Sequence, residues 1–358
     1  MNYYIHVPFC RSRCGYCVFY SEPSPSEAAE DAYLDRLEDI LRSHQSPETC
    51  DTIYLGGGTP TLLSEERLER LFLMTARFLH PGPETEISIE SNPETLTESK
   101  VRLIRSFANR ISLGVQSFDP ALRKTLGRDC SQPALEQAIA WISAARFPHW
   151  NCDLIYAIPG QSPDGFVRDL ERAVSLGIDH LSCYSLTPEE GARLAGSLVP
   201  DEDDSARMWE LAGRCGLPRY EISNYAKPGA ECRHNVNVWR GGLLAGFGPS
   251  AAGFNGKSRM IQPASLSDWL HGDAPELDII PHPARLNEIF AVNLRTVAGW
   301  TPELWAEVPG ADSWESRLAH VRRAAQKTSP DWFDISPERI TLNNSGLLFW
   351  NDAAESLL

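Results

Sequence analysis

Cys10, Cys14 and Cys17 lie within eight positions of one another in the stretch "YYIHVPFCRSRCGYCVFY". This C-x3-C-x2-C spacing follows directly on a β-branched, strand-like run. Three thiolates so close together suit a metal centre. Structural zinc normally takes four protein ligands, commonly in two separated pairs, and His6 would have to complete such a set here. Unrelated loop thiols would be open to oxidation. An iron–sulfur cluster fits the donor count better. A [4Fe–4S] cube usually takes four thiolates, so three would hold three irons and leave the fourth open to a ligand. Phe9, Tyr16, Val18, Phe19 and Tyr20 would keep water from the cube and tune its potential.

The other six cysteines, Cys50, Cys130, Cys152, Cys183, Cys215 and Cys232, are scattered singly through 358 residues. No basic segment followed by an apolar one marks an export signal, and no apolar run approaches the ~20 residues of a spanning helix. A cytoplasmic location is therefore expected, with most of the single cysteines as buried free thiols. The net charge of −15 repels nucleic acid and anionic membrane surfaces.

The cysteine loop has to be positioned by the elements around it. Strand-like runs at Tyr3–Val7, Thr52–Leu55, Glu86–Glu90, Arg110–Gln116, Cys152–Ala157 and His180–Leu186 alternate with helical patterns. In Glu27–Ser43, Tyr33, Leu37, Ile40 and Leu41 share a face. In Ser64–Leu79, Leu68, Leu71, Phe72 and Thr75 do so behind a Ser64 N-cap. Gln132–Arg146 and Pro163–Gly177 continue the series, the latter ending on a glycine. Strands separated by helices pair in parallel through right-handed crossovers. A barrel, a partial barrel or an open doubly wound sheet all satisfy this, and all collect ligands at the carboxyl ends of the strands.

Other unusual residues fall at those same strand ends. "LGGGTP" offers Gly57, Gly58 and Thr59, where backbone can approach a ligand closely. Glu90 in "IESNP" and Gln116 in "GVQSF" end their strands. Arg128 could clamp a carboxylate with its planar fork, and Asp153, near the start of its strand, could bind a ribose diol. Each has an ordinary alternative role as a loop, cap or surface residue; their common location raises them together.

Taken in order, "YIHVPFCRSRCGYC", "YLGGGTPTLL", "IESNPETLT", "RISLGVQSFD", "DLIYAIPGQS" and "RYEISNYAKPGAECRHN" resemble the HemN/HemW branch of the radical S-adenosylmethionine (SAM) superfamily. The resemblance runs from Tyr3 to about Gly248. It implies an α/β fold, a (β/α)6 partial TIM barrel with a smaller α+β C-terminal domain. It implies a [4Fe–4S] cluster on Cys10, Cys14 and Cys17 whose open iron chelates SAM, and an electron donor to that cluster. SAM contacts are implied at Tyr4, Gly57, Gly58, Thr59, Glu90, Gln116, Arg128 and Asp153. The expected domains are a radical SAM core at 1–200, an extension and linker at 201–280, and a winged-helix-like domain at 281–358. Residues 285–358 carry 7 Lys and Arg against 10 Asp and Glu, which argues against nucleic-acid contact by that last domain.

Within the branch, coproporphyrinogen dehydrogenases carry a fourth cysteine two residues after the motif and an arm before the first strand. Here the position is Phe19, and the first strand begins at Tyr3. Both features resemble the heme chaperones of the branch instead, which implies heme as cargo and heme-acceptor proteins such as respiratory enzymes as partners. Peripheral membrane association would follow from such partners, without a transmembrane segment. The heme-associated H-N-x-x-Y-W motif of those chaperones is met by His234-Asn235-Val236-Asn237-Val238-Trp239, with valine in place of tyrosine. His234 or Cys232 could ligate heme iron, and each is equally readable as a structural loop residue.

Anoxically purified protein should be brown, with an absorption shoulder near ~400 nm from iron–thiolate bonds. Acid-labile sulfide and iron should both vanish when Cys10, Cys14 and Cys17 are replaced together by alanine; metal content unchanged in that variant would remove the cluster.

Overall fold

Side chains alternate between two faces along each of the first six strands, and that alternation sets the architecture. In the computed structural model, β1 (Asn2–Val7), β2 (Cys50–Gly57), β3 (Pro81–Ser91), β4 (Arg110–Gln116), β5 (His149–Tyr156) and β6 (His180–Ser185) pair in parallel in that order. Tyr3, Ile5, Ile53, Leu55, Ile87, Ile89, Ile111, Leu113, Leu154 and Leu181 join the main apolar core. The residues between them, among them Tyr54, Ser88, Glu90, Ser112, Asp153 and Ser182, line a central cavity. The structure describes residues 1–44, 50–187, 194, 202–214 and 216–358, and the backbone alone of 202–204. Cys215 and the Pro- and acid-rich stretch at 188–193 and 195–201 lie outside the described residues.

The apolar face of the strands is covered by α1 (Glu27–Ser43), α2 (Glu65–Leu79), α3 (Glu98–Phe107), α4 (Pro120–Thr125), α5 (Gln132–Ala145) and α6 (Pro163–Ser175), and α7 (Glu202–Gly213) follows β6. The Ser64 hydroxyl accepts from the Arg67 N–H at 3.3 Å and caps α2. Leu68, Leu71, Phe72 and Thr75 are buried as their spacing predicts. Past α6, Gly177 takes the left-handed conformation at φ +78°. Helix α3 escapes a periodicity reading because only Val101 and Ile104 of its ten residues are buried. The five described single cysteines are buried.

The sheet extends beyond the six strands. β7 (Asn224–Ala226) adds antiparallel to β6. At the opposite edge β8 (Leu244–Phe247) adds parallel to β1, and β9 (Ala252–Phe254), β10 (Ser258–Ile261) and β11 (Glu276–Ile279) continue antiparallel. The eleven strands stay open between β7 and β11, so the barrel is partial.

Helix α8 (Arg233–Trp239) plugs the amino ends of the strands. Glu86 on β3 has few choices there, being 4 % exposed. Its carboxylate accepts the N–H groups of Arg233 (3.1 Å) and His234 (3.0 Å) at the start of α8, and pairs with Arg110 Nε at 3.1 Å. Arg110 Nη2 donates to the carbonyls of Ala230 and Glu231. One buried ion pair thus satisfies backbone donors and acceptors on both sides of the turn into α8.

Helix α9 (Leu266–His271) lays Trp269 against Tyr33 of α1. A second apolar core then forms around α10 (His282–Asn293), α11 (Pro302–Ala306) and α12 (Trp314–Lys327), where Phe290 stacks on Trp300 and meets Trp305 edge-on. A hairpin of β12 (Phe333–Ile335) and β13 (Ile340–Leu342) and helices α13 (Asn344–Leu348) and α14 (Trp350–Leu357) complete it. No described helix is long and apolar enough to cross a membrane.

Replacing Glu86 by alanine strands Arg110 and two amide donors in the barrel floor. The expected cost is about 3–5 kcal/mol, read as a lowered denaturation midpoint. Removing the exposed Glu98–Arg102 pair should leave the midpoint nearly unmoved.

Candidate functional site

At the carboxyl ends of the strands the polar interior opens into a cavity of about 410 Å³. The three cysteine side chains line its mouth, all partly exposed. Among the described residues no trio of His, Cys, Asp or Glu converges on a single ion; a cubane instead holds its thiolates on separate corners. Both nitrogens of His6 are engaged, Nε2 with the Tyr20 carbonyl at 2.9 Å and Nδ1 with the Tyr4 hydroxyl at 3.0 Å. Burial pushes its pKa down and keeps it neutral. His6 therefore ties Tyr4 to the cysteine loop. Tyr4 is itself half-buried beside the Tyr54 ring and stands behind the cavity wall.

The cysteine loop sits tightly on the end of β2. Gly58 and Thr59 donate to the carbonyls of Val7 and Phe9 at 2.9 and 2.7 Å. Gly57 has φ +104°, and a Cβ there would lie 2.4 Å from the His6 ring. A Cβ at Gly58 would lie 2.6 Å from the Phe9 carbonyl oxygen. The glycine run is dictated by this close approach.

A chain of contacts links two of the thiols through the strand ends. Cys10 Sγ meets Thr59 Oγ1 at 3.6 Å, and Thr59 Oγ1 accepts from Asn92 Nδ2 at 2.8 Å. Asn92 Oδ1 accepts from Arg128 Nη2 at 2.7 Å, and Arg128 Nη1 reaches Cys14 Sγ at 3.7 Å. Nη2 also donates to the Gly114 carbonyl at 2.6 Å. Burial works against the charge of Arg128, but Tyr16, Glu94 and Cys14 more than offset it and the guanidinium stays charged. Asn92, at the end of β3, was not singled out from sequence, because a lone Asn before proline reads as a turn residue.

Two carboxyls face the same space. Glu90 accepts from the Tyr54 hydroxyl (2.8 Å) and the Gly57 N–H (3.1 Å). Burial pushes its pKa up to about 7, only partly countered by the Tyr54 hydrogen bond, and Asp153 raises it further. Asp153 accepts from Ser112 Oγ and Asn151 Nδ2 at 2.8 and 2.7 Å, and burial raises its pKa too. Gln116 sits at φ +67° where the β4–β5 register slips by one residue. A left-handed non-glycine at a bulge is the kind of re-aimed side chain found at binding sites. Ser112, Asn151 and Ser182 belong to the same lining, and period-2 reading of β4, β5 and β6 would have found them.

The donor set fits the groups expected here. Three thiols on one loop face a cavity whose walls offer a charged arginine, two carboxyls and several hydroxyls. Ser88 Oγ, Glu94 Oε2 and Arg128 Nε, all on cavity-lining residues, are buried without partners among the described residues, a state a bound polar ligand relieves.

The two residues considered for heme lie elsewhere, in the floor. Cys232 reaches Glu86 Oε1 at 3.7 Å, and burial pushes its thiol up to about 12. Its side chain borders the deepest part of the cavity. His234 shares a hydrogen bond between Nδ1 and Thr52 Oγ1 at 2.8 Å, lies 5.1 Å from the Tyr54 ring, and is pushed by burial down to about 4. Neither meets the cysteine loop.

An open parallel barrel with a three-cysteine loop at its strand ends defines a radical SAM core, and the Radical SAM superfamily model matches residues 4–173. The fold matches that of coproporphyrinogen III oxidase (HemN) from Escherichia coli, with a TM-score of 0.84 over 99% of this chain and 89% of that one, at 19% identity. The heme chaperone HemW of Mycobacterium tuberculosis is 37% identical over 99% of this chain and 94% of its own length. That of Lactococcus lactis is 35% identical over 83% and 82%. The chain belongs to the HemW family of the radical SAM superfamily.

The raised pKa of Glu90 has a stability consequence in the protein without ligands. Its neutral form favours the fold fully below the unfolded carboxyl pKa of about 4.3, and that advantage is lost as pH rises through about 7. Glu90→Gln should therefore shrink the fall in melting temperature between pH 5 and pH 7.5; an unchanged slope would show that Glu90 is ionised throughout.

Proposed function

We propose that this protein is a heme chaperone that carries a [4Fe–4S] cluster on Cys10, Cys14 and Cys17, binds SAM above the strand ends, and passes heme to acceptor proteins. The observation that carries the reading is the match to HemW proteins along nearly the whole chain. The position two residues after Cys17, held by the largely exposed Phe19, offers no fourth thiol, which favours cargo transport over porphyrinogen oxidation. When bound, cluster and SAM together supply one-electron chemistry at the sulfonium.

The chain's own residues have distinct parts in this reading. Arg128, held by Asn92 and Gly114, offers its charge to the SAM carboxylate. Ionised Glu90 faces the cationic amino end, and Asp153 accepts from the ribose hydroxyls. Gly57, Gly58 and Thr59 supply backbone edges, Gln116 a side-chain amide, and Tyr4 buttresses the wall from behind. The domains follow the same division, a core to residue 200, an extension to 280 and a winged-helix-like unit beyond. For heme ligation, His234 has only Nε2 to offer while Thr52 holds Nδ1, and either His234 or Cys232 would need α8 to lift from Glu86. A cytoplasmic location and acceptors among respiratory enzymes complete the proposal.

Under anoxia, reconstituted protein with SAM, reductant and coproporphyrinogen III should yield no protoporphyrinogen, while hemin binds at one equivalent. Formation of protoporphyrinogen would overturn the chaperone reading. Arg128→Ala should lose SAM binding by at least about tenfold in calorimetry while keeping its iron and sulfide.

A further inference from the structure

Where heme would rest is a separate question, and the cavity mouth offers an answer. The loop between the first two cysteines carries Arg11 and Arg13, both exposed and both on the cavity rim. Neither guanidinium has a hydrogen-bond or ion-pair partner among the described residues. Other arginines vary: Arg67 meets Glu27, Glu30 and Asp31, and Arg70 meets Asp35 and Glu38, whereas Arg11 and Arg13 stand on the rim of a cavity. Two cations two residues apart on the rim of a cavity, in a protein of net charge −15, suit the rim to an anion.

Beside them the rim is apolar. Phe19 is 65 % exposed and Val18 36 %, directly after the last cysteine. Inside, Tyr184 lines the same cavity and is 42 % exposed to it. A flat apolar ligand laid on the Phe19 ring would bury apolar surface there. The rim thus combines the exposed Phe19 ring with two guanidiniums that have no ion-pair partner among the described residues. A planar apolar molecule bearing two carboxylates matches both, and among the ligands of the proposed function that description fits heme.

We infer that heme docks at the cavity mouth, its macrocycle against Phe19 and its propionates paired with Arg11 and Arg13, on the opposite side of the barrel from His234. The inference rests on the heme-chaperone reading. It makes the position that lacks a fourth thiol part of the cargo surface, and it leaves α8 seated in the floor.

The test titrates hemin and hemin dimethyl ester into the cluster-loaded protein and follows tryptophan fluorescence and the difference Soret band. Wild type should bind the free dicarboxylate about tenfold more tightly than the ester, since charge-assisted pairs to Arg are lost on esterification. The Arg11→Ala/Arg13→Ala variant should bind both alike, at the ester's affinity, and Phe19→Ala should weaken both. Iron and sulfide content confirms that each variant keeps its cluster. The inference is overturned if wild type binds acid and ester equally, or if the arginine and Phe19 variants bind hemin as wild type does; heme then sits elsewhere and the chaperone reading stands. Failure of wild type to bind hemin at all overturns both.

Discussion

A parallel sheet buried on both faces has no water to satisfy polar side chains, so every polar residue turned inward must find a partner. Closed barrels usually avoid the problem by filling the interior with branched apolar side chains. This chain does the opposite. Its six strands send Tyr54, Ser88, Glu90, Ser112, Asp153 and Ser182 into the middle, and most are held by one another: Tyr54 by Glu90, Ser112 by Asp153, His180 by Asn151. Leaving the barrel open lets this interior reach solvent at one end, which is where a polar ligand and a cluster can enter.

Arg128 is the piece that binds the upper end together. It rises from the turn after α4, yet its contacts are to β3 through Asn92, to β4 through the Gly114 carbonyl, and to the cysteine loop through Cys14. A short-chained or neutral side chain could not bridge these three elements. Because Cys10 leans on Thr59 and Thr59 on Asn92, the loop geometry and the ligand pocket share one hydrogen-bonded frame. Hydrogen bonds of this kind to a metal-binding side chain fix where thiolates point and how basic they are.

The lower end is governed by a different pair. Glu86 and Arg110 neutralise each other out of water, which is rarely worth much by itself. Here the pair also closes the start of α8 and its preceding turn, so its value lies in seating a helix. The same residues that look like a heme motif in sequence, Cys232 and His234, are the first to be covered by that seating.

Local signals read the βα order, the Ser64 cap and the cysteine loop directly from the sequence, because apolar periodicity and short-range spacing are properties of the chain itself; the partial barrel, among the architectures that order allows, was implied by the family resemblance alone. Strand-end position likewise pointed to Gly57, Glu90 and Gln116. The rest needed tertiary structure for stated reasons. Asn92 matters only because Thr59 and Arg128 arrive on either side of it. The β8–β11 extension hides in a Gly- and Ala-rich tract whose pairing partner, β1, lies some two hundred and forty residues away. Whether His234 faces a ligand or a helix floor depends on Glu86 and Thr52, more than a hundred residues upstream. And that Arg11 and Arg13 stand on the rim of the same cavity as an exposed Phe19 follows from how the cysteine loop folds over the strand ends, something no spacing along the chain can specify.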